Sequence, residues 1–377
     1  MAAPRSMSGD VAVYTVTGHQ ARSVEARGPV SVSARPCREQ HARQGALCHA
    51  AIRSAITMHP TLRAGVIARS CRRHRFANQG GDGGRARSNL GRSVPVPLTI
   101  AHRGASGSAP ENTLAAVRRA IADGADFIEV DARVTHDGAV VVMHDETLVR
   151  TTDAPARYPL RSPWRTQDLR LDELQSLDAG EWFASTYCGE PVPTLEQVIE
   201  LVESAGVGLL VELKTSVDAA AEARALLDAL RSRPAYLDRA LYDDRLVVQS
   251  FNWDAMRAHR AAAPEIPVGL LGRPHVARLP ELSRWVRYVN PHHLKIDRSY
   301  VARVRSAGMK CWVWTVDHPV LIGRATRLGV DGIITNHPQH ANHIRERGHG
   351  NVNPARPPAV TRPTRRAHAK RRPAVPA

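Results

Sequence analysis

The chain has 377 residues and a formal net charge of +16, enough length for one large domain or two ordinary ones. The charge is uneven: residues 1–97 carry 15 Arg against four acidic residues, residues 348–377 carry seven basic residues and no acidic one, and the 250 residues between are left at −2. The basic excess therefore describes what the ends can touch (anionic lipid, nucleic acid or acidic protein) and not a central site, and no run approaches the about 18 apolar residues of a membrane-spanning helix.

Residues 1–97 lack sustained periodicity and are rich in Arg, Ser, Ala and Gly, which predicts a disordered basic extension. From Leu98 the pattern changes. Leu98–Ala101 reads as a strand, Glu111–Asp123 as a helix, and Phe127–Val134 as a second strand. Asp137-Gly138 signals a tight turn into another strand, Val140–Met143. Helix and strand then alternate: Thr194–Ser204 helix, Gly208–Leu213 strand, Val217–Leu230 helix, Leu246–Ser250 strand, Trp253–Ala262 helix, Val268–Leu271 strand. A helix over Val276–Val286 and a short strand near Tyr288-Val289 follow. Tyr300–Ala307 is helical, Lys310–Thr315 a strand, Val320–Leu328 a helix and Gly332–Thr335 the last strand, before a short helix to about Arg345. Residues 348–377 are Pro/Arg-rich and read as an unstructured tail.

About eight βα units over residues 98–347 favour a closed (β/α)8 TIM barrel, an α/β fold, over an open doubly wound sheet. No GxGxxG follows the first strand, as an open dinucleotide-binding sheet would want. The connection over residues 147–193 is too long for an ordinary loop and reads as an insertion. The five cysteines, Cys37, Cys48, Cys71, Cys188 and Cys311, are odd in number and widely spaced without a CxxC. They signal neither a disulfide framework nor a zinc site, and point to free thiols in a reducing compartment. No basic segment followed by an apolar one opens the chain; the expected location is the cytoplasm.

His102-Arg103-Gly104, Glu111-Asn112, Glu129-Val130-Asp131 and His144-Asp145 fall within 44 residues, and Glu212-Leu213-Lys214 follows. Most stand at the predicted C-terminal ends of strands, where barrels place their active sites. Period-two alternation points Glu129 and Asp131 the same way, and likewise Glu212 and Lys214. Three converging carboxylates repel unless a cation sits among them, and an all-oxygen ligand set suits one divalent hard ion, Mg2+ or Ca2+. The bland alternative pairs Glu212 with Lys214 and Glu129 with Arg133 as ordinary ion pairs. His102 and His144 suit proton transfer near neutral pH, and Arg103 and Lys214 suit a phosphate. Together these are the parts of metal-assisted phosphate-ester cleavage. Asn112 stands equally well as the cap of the first helix. Phe251 and Trp314 read either as an apolar wall for a ligand or as barrel filling.

The ordered motifs His102-Arg103-Gly104, Pro110-Glu111-Asn112-Thr113, Glu129-Val130-Asp131, His144-Asp145 and Arg150-Thr151-Thr152 resemble the opening signature of the glycerophosphodiester phosphodiesterase family. Leu177-Asp178-Ala179-Gly180, Pro193-Thr194-Leu195, Glu212-Leu213-Lys214, Ser250-Phe251, Trp314-Thr315-Val316 and Asp331-Gly332-Ile333-Ile334-Thr335 continue the resemblance, which covers about Leu98–Arg345. It implies a (β/α)8 barrel with a small insertion after the second βα element. It implies metal-dependent hydrolysis of a glycerophosphodiester to an alcohol and sn-glycerol 3-phosphate, within glycerophospholipid and glycerol metabolism. Carried over by position, Glu129, Asp131 and Glu212 are metal ligands, His102 and His144 the general acid and base, and Arg103 and Lys214 phosphate-binding. Glu111, Asn112, Phe251 and Trp314 complete the expected substrate contacts. Asp317 stands where the family commonly has Asn, and Asn336 where it commonly has Asp, which bears on head-group preference.

Two further readings are open. One is the same chemistry on lysophospholipids, with Trp164, Trp182 and Phe183 of the insertion as an apolar groove. The other is a non-catalytic barrel that holds anionic lipid or nucleic acid through its basic tails; the tails lack aromatic interleaving, so no specific nucleic-acid readout is expected.

Overall fold

In the computed structural model, which describes residues 96–216 and 218–348, eight parallel strands close on themselves. With the antiparallel β3 added to these eight, the strands of the described residues are β1 (Leu98–Ala101), β2 (Phe127–Val134), β3 (Val140–Val142), β4 (Gly208–Leu213), β5 (Leu246–Ser250), β6 (Val268–Leu271), β7 (Tyr288–Asn290), β8 (Lys310–Val313) and β9 (Gly332–Thr335). Their order is β1-β9-β8-β7-β6-β5-β4-β2, with β1 also pairing β2 to close the barrel. Only β3 is antiparallel; it turns back on the end of β2, with Ala132 opposite Val142. The expected disordered tails fall on residues outside the described range, as does Val217. Among the described residues, no helix is long and apolar enough to cross a membrane.

Alternation along each strand splits the core in two. Ile128, Val130, Leu209, Val211, Val248, Val313 and Ile333 face outward and pack against the helices in one large apolar cluster. Ile100, Phe127, Leu210, Val247, Tyr288, Trp312 and Ile334 face inward and fill the barrel. Large rings fit there because glycine stands beside them. A Cβ on Gly208 would come within 2.4 Å of the Phe127 ring, and one on Gly332 within 2.4 Å of Trp312.

Several element limits differ from expectation for local reasons. The first helix spans Leu114–Ala122, and its cap is Thr113, whose hydroxyl accepts from the Ala116 N–H at 3.2 Å. Asn112 cannot cap it: its φ is +58°, whereas a cap residue takes an extended backbone. The expected helix over 276–286 is a 3-10 turn at Val276–Arg278 and one α-turn at Leu279–Leu282. Pro280 has no N–H and is tolerated only in a first turn, so a long helix cannot run through it. Pro234–Tyr242 forms a helix that no expectation covered, opened by a proline in its first turn. Cys188 is disulfide-bonded, against the expectation of free thiols, because spacing along the chain does not report which sulfurs approach; Cys311 is a buried free thiol.

Between β3 and the helix Leu195–Ala205, residues 143–194 form short turns around a core of their own. Val141, Met143, Leu148, Leu169, Leu174 and Val192 are buried there, with Trp164 packed on them. The segment lies against the loop after β1 and the start of the first helix: Tyr187 Oη donates to the Ser108 carbonyl at 3.0 Å, and Glu190 accepts from the Ala115 N–H at 2.9 Å.

Candidate active site

Register and alternation bring the carboxylates together. Asp131 on β2 is paired with Glu212 on β4, and Glu129 lies one inward step below Asp131. Ligand oxygens of Glu129, Asp131 and Glu212 all lie within 4.8 Å of one another. All three are buried, Asp131 completely. Burial, with Asp131 and Glu212 close by, pushes the Glu129 carboxyl well above the carboxylate range. Burial and Asp131 likewise raise Glu212 to about 7. Asp131 is the exception: against its burial, Lys214 and Arg103 hold it down to about 2. Glu129 Oε2 accepts from the Arg103 N–H at 2.7 Å, but Glu129 Oε1 is buried without a hydrogen-bond partner.

The cations lie on the same rim. Lys214 Nζ contacts Glu212 and sits 3.1 Å from Asp131 Oδ1. The alternative pairing of Glu212 with Lys214 is thus present, while Glu129 has no bond to Arg133, whose guanidinium donates instead to the His144 carbonyl at 2.8 and 3.0 Å. Arg103 takes the left-handed region, φ +57°, a conformation uncommon outside glycine and a mark of a constrained site. Its Nε is 3.2 Å from Asp131 Oδ2 and its Nη1 donates to Glu111 Oε1 at 2.7 Å. Asn112 holds Asp131 from behind: its amide donates to Oδ2 at 2.8 Å, and its Oδ1 accepts the Asp131 N–H at 3.2 Å. Glu111 and Asn112 therefore reach the site through Arg103 and Asp131.

Each histidine is anchored by Nδ1. His102 Nδ1 is 2.6 Å from Asn336 Oδ1, and His144 Nδ1 is 2.6 Å from Asp145 Oδ1. The Asn336 amide group donates to Asp317 Oδ2 at 2.8 Å, and Asp317 Oδ1 accepts the Asn336 N–H at 2.8 Å. A carboxylate only accepts, so Asp317 turns the Asn336 oxygen toward His102. Both rings then carry hydrogen on Nδ1, which leaves Nε2 as the nitrogen free for proton exchange. Burial lowers the pKa of both histidines, and the Arg103 charge adds to this at His102.

His102, Arg103, Glu129, His144, Glu212 and Lys214 line a cavity of about 120 Å3 together with the apolar Phe251, Leu271, Trp314 and Ile334. Phe251, more than half exposed, meets Trp314 edge-on at 5.5 Å, and Trp314 Nε1 donates to the Asn290 carbonyl at 2.7 Å. Trp164, Trp182 and Phe183 do not line it; Trp164 belongs to the core of the 143–194 segment, and Trp182 and Phe183 meet edge-on at 5.7 Å. Sequence reasoning did not name Gln249, quoted Asp145 and Arg150 only within motifs without a role, and read Asp317 and Asn336 as departures bearing on head-group preference rather than as supports of His102. The adjacency in His144-Asp145 and the paired departures at 317 and 336 were the available signals; nothing local marks Gln249.

Residues 102–340 match the model of the Glycerophosphoryl diester phosphodiesterase family. A glycerophosphodiester phosphodiesterase of Caldanaerobacter subterraneus is 34% identical over 64% of this chain and 95% of its own. Another, from Bacillus subtilis, is 31% identical over 64% of this chain and 84% of its own. Among solved structures, an Oleispira antarctica phosphodiesterase in complex with the product sn-glycerol-3-phosphate is 30% identical, with a TM-score of 0.58 over 67% of this chain and 97% of that one.

Proposed function

This chain belongs to the glycerophosphoryl diester phosphodiesterase family and is a phosphoric diester hydrolase, and from that premise we propose that it cleaves glycerophosphodiesters to an alcohol and sn-glycerol 3-phosphate at the barrel mouth. The observation that carries the reading is the meeting of two Nδ1-anchored histidines with a carboxylate triad and two cations around one small cavity. The product held by the Oleispira relative is consistent with it.

Glu129, Asp131 and Glu212 fit a divalent cation. Their oxygens converge, Glu129 Oε1 has no hydrogen-bond partner, and burial together with the Asp131 charge raises the other two carboxyls. Oxygen-only donors suit Mg2+ or Ca2+. When bound, such an ion would supply positive charge against the negative charge on the phosphate oxygens.

The chain's own residues do the rest. Arg103 and Lys214 hold the phosphate, and Glu111 and Asp131 keep Arg103 extended toward it. The bare Nε2 of one histidine takes the proton from the attacking oxygen as its bond to phosphorus forms. The other histidine, protonated at Nε2, delivers a proton to the alcohol oxygen as the second P–O bond breaks. The neighbouring glycerol hydroxyl is a tethered nucleophile of high effective concentration; water then opens the resulting cyclic phosphate. Phe251 and Trp314 give the carbon skeleton an apolar wall.

The test is a coupled assay for sn-glycerol 3-phosphate released from glycerophosphocholine and glycerophosphoethanolamine, run with EDTA, Mg2+ or Ca2+. Release that requires the metal and disappears in Glu129→Ala and His144→Ala is the expected result. No release by folded protein with either ion overturns the proposal.

A further inference from the structure

Arg150 stands outside the cavity, on the loop that follows β3, and its side chain is 44% exposed. An arginine so placed would ordinarily contribute little. Its bonds, however, join the two halves of the site. Nε donates to Asp145 Oδ2 at 2.6 Å. Nη1 and Nη2 form a fork on Glu111, at 2.9 Å to Oε2 and 2.7 Å to Oε1. Beyond Asp145 lies His144, and beyond Glu111 lies Arg103. The result is an unbroken chain from the His144 ring through alternating charges, Asp145, Arg150, Glu111, Arg103 and Asp131, with every link at 3.2 Å or less.

Each link restrains the next. Asp145 has one oxygen on His144 and the other on Arg150, so its plane cannot turn without breaking a bond. Glu111 is held between two guanidinium groups. No other cation among the described residues contacts Asp145 or Glu111 by an ion pair. Three donors in a rigid planar fork are what arginine offers and lysine does not.

We propose that Arg150 is a positioning residue for the hydrolysis, setting the His144 ring through Asp145 and the reach of Arg103 through Glu111 at the same time. The role rests on the proposed function for its kinetic consequences, but its geometric part can be read without turnover. In Arg150→Gln, Asp145 is released and the His144 hydrogen is no longer confined to Nδ1. Loss of a group that orients a ligand or catalytic side chain ordinarily costs about 10- to 100-fold. Both kcat, through His144, and KM, through Arg103, are expected to move.

The experiment compares the full-length chain with Arg150→Gln, Arg150→Lys, Asp145→Asn and the Arg150→Gln/Asp145→Asn pair, recording turnover, melting temperature and the 15N signals of His144. The expected result is an unchanged melting temperature, a fall in kcat with a rise in KM, and a shift of His144 toward a mixture of tautomers. Arg150→Lys recovers only part of the loss, and the double variant has a kcat no lower than the worse single one, because both act through the same carboxylate. Parental kinetics in Arg150→Gln, multiplied losses in the double variant, or a loss that follows the melting temperature overturns the role. If the parent itself turns over nothing, the proposed function fails, while an unmoved or moved His144 signal in Arg150→Gln still decides the positioning.

Discussion

Along β2 the inward row reads Phe127, Glu129, Asp131, and over these three residues the barrel changes character. At its N-terminal end the Phe127 ring meets Trp312 edge-on at 5.2 Å, and Tyr288 lies 4.3 Å from the same indole. Two residues later in the same row the carboxylates converge, with Gln249 of β5 and Glu212 of β4 beside them. Alternation decides only which row faces in. Position along the row decides whether the side chain stabilises or burdens the fold: buried rings gain from leaving water, and buried like charges cost stability unless something neutralises them. The apolar end and the outward-facing Ile128, Val130, Leu209 and Val211 thus hold in place an end that would not assemble for its own sake.

Removing one side of this contrast at a time separates the two effects. The largest change is expected at the mouth. Asp131→Asn or Glu129→Gln should lower kcat by about 10²- to 10³-fold, the loss of one preorganised charge contact, in the sn-glycerol 3-phosphate assay. In calorimetry without added metal, Glu129→Gln should melt no lower than the parent, because burial and the neighbouring carboxylates already disfavour the charged form that the substitution removes. At the other end the signs reverse. Trp312→Ala should cost about 3–5 kcal/mol of stability in a denaturant titration, while the folded fraction keeps its kcat at low temperature.

A third change falls outside both ends. His259, 1% exposed on the helix Trp253–Ala262, is lowered by burial from 6.5 to about 4. Its neutral form is the one the fold accepts. The stability that depends on it is complete above pH 6.5 and is lost as pH falls toward 4, because the unfolded chain takes up the proton first. The loss is on the order of 3 kcal/mol. Denaturation midpoints from pH 7 to 4 should fall in the parent and fall less in His259→Leu; identical slopes would show that another group titrates. The smallest effect is expected from the ends of the chain. A protein of residues 96–348 should turn over as the full chain does, since β1 pairs β9 within that segment; loss of turnover in a folded truncation would show that the extensions reach the chemistry.

Much of the barrel was legible because each strand carries its own signal. Phe127–Val134, Gly208–Leu213, Leu246–Ser250 and Gly332–Thr335 appear with the limits their residues suggest. The helix limits were less legible where one residue overrides a pattern, as Pro280 does by breaking 276–286, or where a backbone takes the left-handed region, as at Asn112. The carboxylates and histidines could be named from their places after strands. Their supports could not. Asp317 lies 19 residues from the Asn336 it orients, Asn336 lies 234 residues from His102, and Arg150 gains its meaning from Glu111, 39 residues away.

The sequence by itself determined the elements, the inward and outward rows, and the residue types at the mouth, because periodicity and side-chain chemistry are local properties. The tertiary structure alone decided how those groups are charged and aimed. Asp131 stays ionised while Glu129 and Glu212 are raised, although all three are buried carboxyls, because only Asp131 has both Lys214 and Arg103 within 3.2 Å. His102 and His144 present Nε2 because Asn336 and Asp145 take Nδ1. Coulomb energies and hydrogen bonds depend on distances between residues far apart in the chain, and those distances exist only once the barrel has closed.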